Sequence, residues 1–409
     1  MSAPACRTAS ILLKDLDVKS QHPRAASGVR TQNRIVASGA PLSHSISAAA
    51  EAAATVVRKL SHDANEARLD ALRRIVEHCK SFQGADLKRS LSQASISLAI
   101  YLALVAAMIA LATAGRWGTA LALSPIAGGI LVKLFTIQHD CGHGSYFKNR
   151  RANQALGFLI SILTFTPYGF WRDSHNRHHA GSGDLDRRGI GAVDTLTVEE
   201  YRALSGAERL MYRLYRHPLV LIVIGAPVYF FILQRLPLAS APPFAKTYTG
   251  LKVAQIWKSV VLLNIALTLV YGGLAFAFGV GVVALAILPA VTIAAWAGTW
   301  LFFVQHQYED AYWARKPEWT YAEAAIFGSS HYHLPKILRW FTGNIGLHHI
   351  HHLASGIPNY RLPECYRSSK DLLALPKMTM LDSLNCARLA LWDEAQRKMI
   401  SFRALKALA

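Results

Sequence analysis

Residues 259–305 run for 47 positions without an Asp, Glu, Lys or Arg. As one straight helix, at about 1.5 Å per residue, this run would extend roughly 70 Å, more than twice the hydrocarbon thickness of a bilayer. It therefore predicts a helical hairpin. Gly279, Val280 and Gly281 predict the turn, because glycine accepts the dihedrals that end one helix and begin another. Residues 91–115 carry no charge, and residues 117–138 carry only Lys133, near enough to their end to snorkel toward an interface. Composition agrees, with 52% hydrophobic and 17% charged residues against a charged share of about 25% in soluble domains. The expected fold class is an all-α integral membrane protein. Four spanning helices, at about residues 91–115, 117–138, 259–278 and 282–305, form two hairpins in a domain covering residues 88–366.

Three histidine clusters stand outside these runs or at their ends. They are His139 and His143 in HDCGH, His175, His178 and His179 in HNRHH, and His348, His351 and His352 in HHIHH. On a helix, residues three and four apart share a face, so each cluster aims two or three imidazoles at one point. A lone pair of this kind is ordinarily surface or core histidine; three clusters in one chain point to metal ligation. A common centre requires all three on one side of the membrane, and therefore an even number of crossings between them. Two charge-free stretches, residues 155–171 and 218–234, are thus expected to dip in or lie at the interface. The first should break near Thr166 and Pro167, and the second contains Gly225 and Pro227.

Charge placement gives the side independently. The expected outer connections carry Arg116 alone, whereas the histidine side carries Lys88, Arg89, Lys148, Arg150, Arg151, Arg172 and others, so it should face the cytoplasm of a multi-pass protein, most simply at a bacterial inner membrane. The excess of 44 Lys and Arg over 25 Asp and Glu suits anionic head groups of membrane lipids. No basic-aromatic module points to nucleic acid. The cysteines, Cys6, Cys79, Cys141, Cys365 and Cys386, form no CxxC pair and are expected to be reduced; Cys141 points away from the face of its histidine neighbours. Residues 1–45 read as disordered, residues 46–87 as an amphipathic helix, and residues 367–409 as a cytoplasmic C-terminal segment. Asp140, Asp173, Glu309 and Asp310 are candidates to accept the second N–H of ligating histidines. His349 lies about 100° round the helix from His348 and is not a candidate ligand.

The order HDCGH, HNRHH, HHIHH on paired hairpins resembles the membrane fatty acid desaturase family. The stretches QHDCGHGSYF, TPYGFWRDSHNRHH, SGDLDRRG and GNIGLHHIHHLASGIPNYRL resemble its acyl-lipid members of the delta-12 or omega-6 type. The likeness covers roughly residues 88–366. It implies that the clusters hold two iron ions and that His306, in VQHQYEDAYW, completes a set of nine ligands. It also implies an oxidoreductase that uses O2 to convert a pair of acyl methylenes to a cis double bond. The implied substrate is a fatty acyl lipid, with acyl-CoA or acyl carrier protein as alternatives. The sequence has no HPGG haem signature, so electrons are expected from an external donor, ferredoxin or cytochrome b5. Some acyl-CoA members hold a water on an Asn one turn before the His306 position; Phe302 stands there here.

The chemistry is consistent with that implication. Imidazole alone does not choose between Fe, Zn, Cu and Ni. Nine imidazoles exceed the shell of one tetrahedral zinc, and redox-inert zinc cannot make the oxidant that an unactivated methylene requires. A hydroxylase, ketolase or epoxygenase on the same scaffold is the alternative. A metal transporter is more remote, because residues 259–305 hold neither charge nor histidine, and a zinc protease more remote still, because no HExxH occurs.

Overall fold

The computed structural model describes residues 65–189, 191–235 and 252–407. The chain divides into two units, Met1–Arg74 and Ile75–Ala409. Of the first, residues 65–74 are described and are helical. The disorder expected over residues 1–45, and the amphipathic helix over residues 46–64, lie outside the described residues. Cys6 lies there too.

Among the described residues of the second unit, four helices are long and apolar enough to cross a membrane. The first, α1, Leu87–Thr113, starts where the Asp86 side chain accepts a hydrogen bond from the Arg89 amide, satisfying one of the donors that a helix N-terminus leaves free. The second, α2, Trp117–His143, follows a short turn through Gly115, whose φ is +72°. It ends on Gly144 in the left-handed conformation, with Gly144 N–H closing on the last carbonyls. The other hairpin breaks at Gly279, φ +87°, as its glycines predict, and joins helices Val253–Phe278 and Val280–His306. The helix ending in His143 thus runs five residues past the expected 117–138 span, and the one ending in His306 one residue past the expected end at 305.

Between the hairpins, α3 (Arg150–Thr164) is capped by Asn149 and stops at Phe165, which takes φ 58°. After Thr166 and Pro167, α4 (Tyr168–Gly181) starts in a new direction. That is the break expected near Thr166 and Pro167. At 15 residues, α3 reaches roughly 22 Å, short of a full crossing. Farther on, α5 (Gly206–Tyr215) is followed at a 63° bend by residues 219–235, wound as a π-helical turn Leu219–Ile224, then α6 (Gly225–Phe231), then a 3-10 turn Leu233–Arg235. Its interfacial placement was expected. The structure adds that the segment packs beside the last long helix and walls a cavity.

The hairpin helices are α7 (Val253–Phe278) and α8 (Val280–His306). Met108, Ile130, Leu134, Ala286 and Ala290 form the core between α1, α2 and α8. Outward faces stay apolar, with Phe276 on α7 95% exposed, which suits a lipid surface rather than water. Helices α2 and α8 lie in close contact at Gly128. A Cβ there would lie 2.8 Å from Ile293 Cγ2 and 2.9 Å from the Ala290 carbonyl, the small-residue contact that lets membrane helices pack backbone to backbone. Lys133 does not snorkel outward; it is buried, donating to the Trp340 carbonyl at 3.0 Å with its ammonium over the Trp340 ring.

The all-α expectation needs one amendment. A three-stranded sheet forms where β1 (Leu196–Thr197) pairs in parallel with β2 (Leu389–Asp393), and β2 pairs antiparallel with β3 (Lys398–Ser401). Strands this short, joining segments nearly 200 residues apart, leave no periodic trace in sequence. Buried Arg216 binds the junction, donating to Gln307 Oε1 and to the Asp194 and Leu389 carbonyls. Cys79, Cys141, Cys365 and Cys386 are free thiols, and Cys141 packs in the core, as expected.

Candidate metal centre

All nine histidines gather at one end of the long helices. His139 and His143 come from the last turns of α2, His175, His178 and His179 from α4, His306 from the last residue of α8, and His348, His351 and His352 from α9, His348–Leu353. They fall into two neighbouring groups. In one, nitrogens of His139, His143, His175, His179 and His351 all lie within 4.8 Å of one another; in the other, those of His178, His306 and His352 do. His348 joins the second, its Nε2 3.0 Å from His306 Nε2 and 3.1 Å from His352 Nε2. The groups adjoin through His179 and His352, stacked with centroids 4.0 Å apart.

The protonation pattern fits a cation at each group. His139 Nδ1 sits 3.1 Å from Asp140 Oδ1, and His306 Nδ1 sits 3.1 Å from the Gly328 carbonyl. Both oxygens can only accept, so each Nδ1 donates and each Nε2 offers a lone pair inward. His139 Nε2 and His143 Nε2 are buried with no partner among the described residues. Other Nε2 atoms face one another, with His175 to His179, His179 to His351 and His178 to His306 each at 3.1 Å. Where two such nitrogens both present lone pairs, as the tautomer fixed at His306 does on its side, contacts that close repel unless a cation lies among them. Burial, reinforced by the neighbouring imidazoles, holds His175, His178, His179, His348, His351 and His352 well below the ordinary imidazole range. They are therefore neutral at pH 7, the state in which imidazole binds a metal.

The carboxylates divide. Asp140 is buried and receives both the backbone and side-chain N–H of Asn359, at 2.7 and 2.8 Å, while Gln93 on α1 donates to Asn359 at 2.8 Å. Asp173 is turned instead to Arg172, accepting bonds at 2.8 and 2.9 Å. Glu309 is exposed and lies 3.6 Å from Lys398. Sequence reasoning missed Asn359, the Gly328 carbonyl, Asn176, which bonds the His143 ring, and Trp171, stacked on His175 at 4.8 Å. Asn359 and the Gly328 carbonyl reach the site only through the fold, whereas Trp171 stands one helical turn before His175 on α4 and Asn176 lies within HNRHH, so both had a local signal. His349 is buried, stacked on His331 at 5.4 Å, and belongs to neither group. Asp140→Asn is expected to lower metal affinity or turnover 10- to 100-fold, the usual cost of losing a partner that orients a ligand; metal content after dialysis checks it.

Beside the histidines opens a cavity of about 560 Å³, within the range of small-molecule sites. His139, His175 and His348 line it at one end, and Leu131, Val291 and Ala295 lie farther along. Phe302 lines it too, with its ring 5.2 Å from His178 and 5.3 Å from His306. The second histidine group thus meets an apolar ring on its cavity side.

A family model described as fatty acid desaturase matches residues 114–383. The chain is 42% identical over 286 residues to a protein named fatty acid desaturase from Bacillus subtilis, covering 70% of this chain and 78% of that one. It is 28% identical over 269 residues to an sn-1 oleoyl-lipid 12-desaturase of a Picosynechococcus strain, covering 66% and 74%. To a chloroplastic sn-2 acyl-lipid omega-3 desaturase (ferredoxin) of Helianthus annuus it is 27% identical over 254 residues, covering 60% and 54%.

Proposed function

Because the chain belongs to the fatty acid desaturase family, and is an oxidoreductase on that account, we propose that it inserts a cis double bond into a membrane-borne fatty acyl chain, using O2 and two iron ions. The carrying observation is that nine imidazoles, eight of them buried, converge beside a cavity whose lining is mainly apolar surface. In the overall reaction a –CH2–CH2– pair, O2, two electrons and two protons give –CH=CH– and two waters.

His139, His143, His175, His179 and His351 would hold one iron, and His178, His306, His348 and His352 the other. Iron held there supplies the strong oxidant, made from dioxygen, that an unactivated methylene demands. The protein's own part is placement. Asp140 and the Gly328 carbonyl fix the tautomers of His139 and His306, so the rings need not reorient to bind. Trp171 and Phe302 pack against the ligand rings on the cavity side and keep water from the chain. Leu131, Phe135, Val291 and Ala295 bury the acyl chain at roughly 25 cal/mol per Å² of apolar surface.

The basic residues on the histidine side support a cytoplasmic site. A glycerolipid is the favoured carrier, by similarity to relatives named as acyl-lipid desaturases, and ferredoxin the favoured donor, by similarity to one named for it. The test is a mass-spectrometric acyl profile of a host expressing the chain with a ferredoxin and its reductase. A new cis double bond is expected. Hydroxy or epoxy acids would move the assignment to a hydroxylase or epoxygenase, and an unchanged profile from an iron-free protein would overturn both.

A further inference from the structure

Two short helices outside the four spans leave large apolar side chains exposed. On Lys336–Phe341 they are Ile337, 67% exposed, and Trp340; on Met380–Cys386 they are Met380, Leu381 and Leu384, with Leu381 78% exposed. The spans fix where these helices stand relative to a bilayer. About 20 residues cross the hydrocarbon layer, and that count, taken from the hairpin turns, reaches Gln93 on α1, Ile137 on α2, Lys258 on α7 and Trp300 on α8. Trp257, Lys258 and Trp300 thus fall together at one level, and aromatic and basic side chains gather at a membrane boundary.

Lys336–Phe341 packs on the membrane side of that level. A Cβ on Gly129 would lie 2.8 Å from Phe341 Cδ1, Lys133 donates to the Trp340 carbonyl, and Thr136 Oγ1 donates to the Thr342 carbonyl at 3.2 Å. The helix therefore lies against the turns of α2 that precede Ile137. Met380–Cys386 stands about one turn beyond the boundary, because its buried Cys386 shares an apolar cluster with Phe303 and Val304, which follow Trp300 on α8. Met378 joins the two helices, accepting from the His333 amide at 2.8 Å and donating its own amide to the His331 carbonyl at 2.9 Å. We propose that this paired surface, Ile337 and Trp340 with Met380, Leu381 and Leu384, is seated in the head-group and upper acyl layer of the bilayer, as an interfacial helix face is. Charge agrees. Lys336, Lys377 and Arg388 are exposed at or near the ends of the two helices, placed to meet lipid phosphates, while Asp382 is held by its own N-cap, accepting from the Thr379 amide and hydroxyl at 2.9 and 2.7 Å. The C-terminal segment is then part of the membrane-bound body. Through His331, which pairs with Leu347, the lipid surface supports the chain immediately before His348.

The test places a nitroxide label at Leu381→Cys, Leu384→Cys or Ile337→Cys in the full chain carrying Cys6→Ser, in nanodiscs of phosphatidylcholine and phosphatidylglycerol. Cys79, Cys141, Cys365 and Cys386 are buried, which directs the label to the new thiol. Each site is read by its collisions with O2, which concentrates in lipid, and with a nickel chelate, which stays in water. Phe276→Cys, on the exposed face of α7, sets the lipid value, and Glu318→Cys, at a side chain 71% exposed, sets the aqueous one. The ratio of O2 to nickel collisions at all three sites should stand several-fold above that of Glu318→Cys and approach that of Phe276→Cys. A ratio matching Glu318→Cys overturns the proposal, because the surface then faces water. Protection from both reagents overturns it as well, because protein, such as a second copy of the chain, then covers the surface. Neither result touches the desaturase reading, which rests on the histidines.

Discussion

Replacing His351 by alanine is expected to reduce desaturation more than 100-fold and to strip iron from the protein while leaving it in the membrane at wild-type levels. His351 Nε2 lies 3.1 Å from His179 Nε2, and its ring packs 4.4 Å from that of His139 and 4.9 Å from that of His143. It therefore joins the contributions of α2, α4 and α9 to one group. Loss of a partner that merely orients a ligand costs 10- to 100-fold, and loss of a ligand should exceed that. Insertion should survive, because α9 lies outside the four long helices. Within the same cluster, His349→Gln should keep its iron, since His349 belongs to neither group. Iron analysis of the two purified variants separates ligation from general damage. Equal iron in His351→Ala and wild type would refute the ligand assignment.

Gly128→Leu should have the second largest effect, this time on the fold. A Cβ at that position already meets the Ala290 carbonyl at 2.9 Å, and backbone cannot swing aside as a side chain can. Overpacking a tight core costs about 1–3 kcal/mol, occasionally more, and separating α2 from α8 would also move His139 and His306, which stand at their ends. The expected result is a lower melting temperature in detergent and a smaller folded yield. Gly298→Leu, on α8 where an added Cβ meets nothing within 4 Å, should show neither. If the two variants melt alike, the close crossing at Gly128 is not what holds α2 and α8 together.

Much of this molecule is written locally. Charge-free length announces the four long helices, because a bilayer admits no other way to bury that much apolar surface. Glycine at 279 marks a turn, because its positive φ suits no other residue as well. Spacings of three and four mark each histidine cluster, because helical geometry turns such spacing into a shared face. The requirement that all clusters meet on one side then explains why α3 stops short and why the chain breaks after Phe165.

What the sequence alone determined is therefore the four long helices and the eight clustered histidines, with His306 supplied by resemblance to a known family. What only the tertiary structure decided is their division into two groups, the pairing of Asp140 rather than Asp173 with a cluster histidine, and the lining of the cavity. Each of these depends on contacts between residues far apart in the chain, Asp140 with Asn359, His178 with His306, Gly128 with Ala290. Local periodicity carries no information about such contacts, because they are set by how helices pack and not by how any one of them winds.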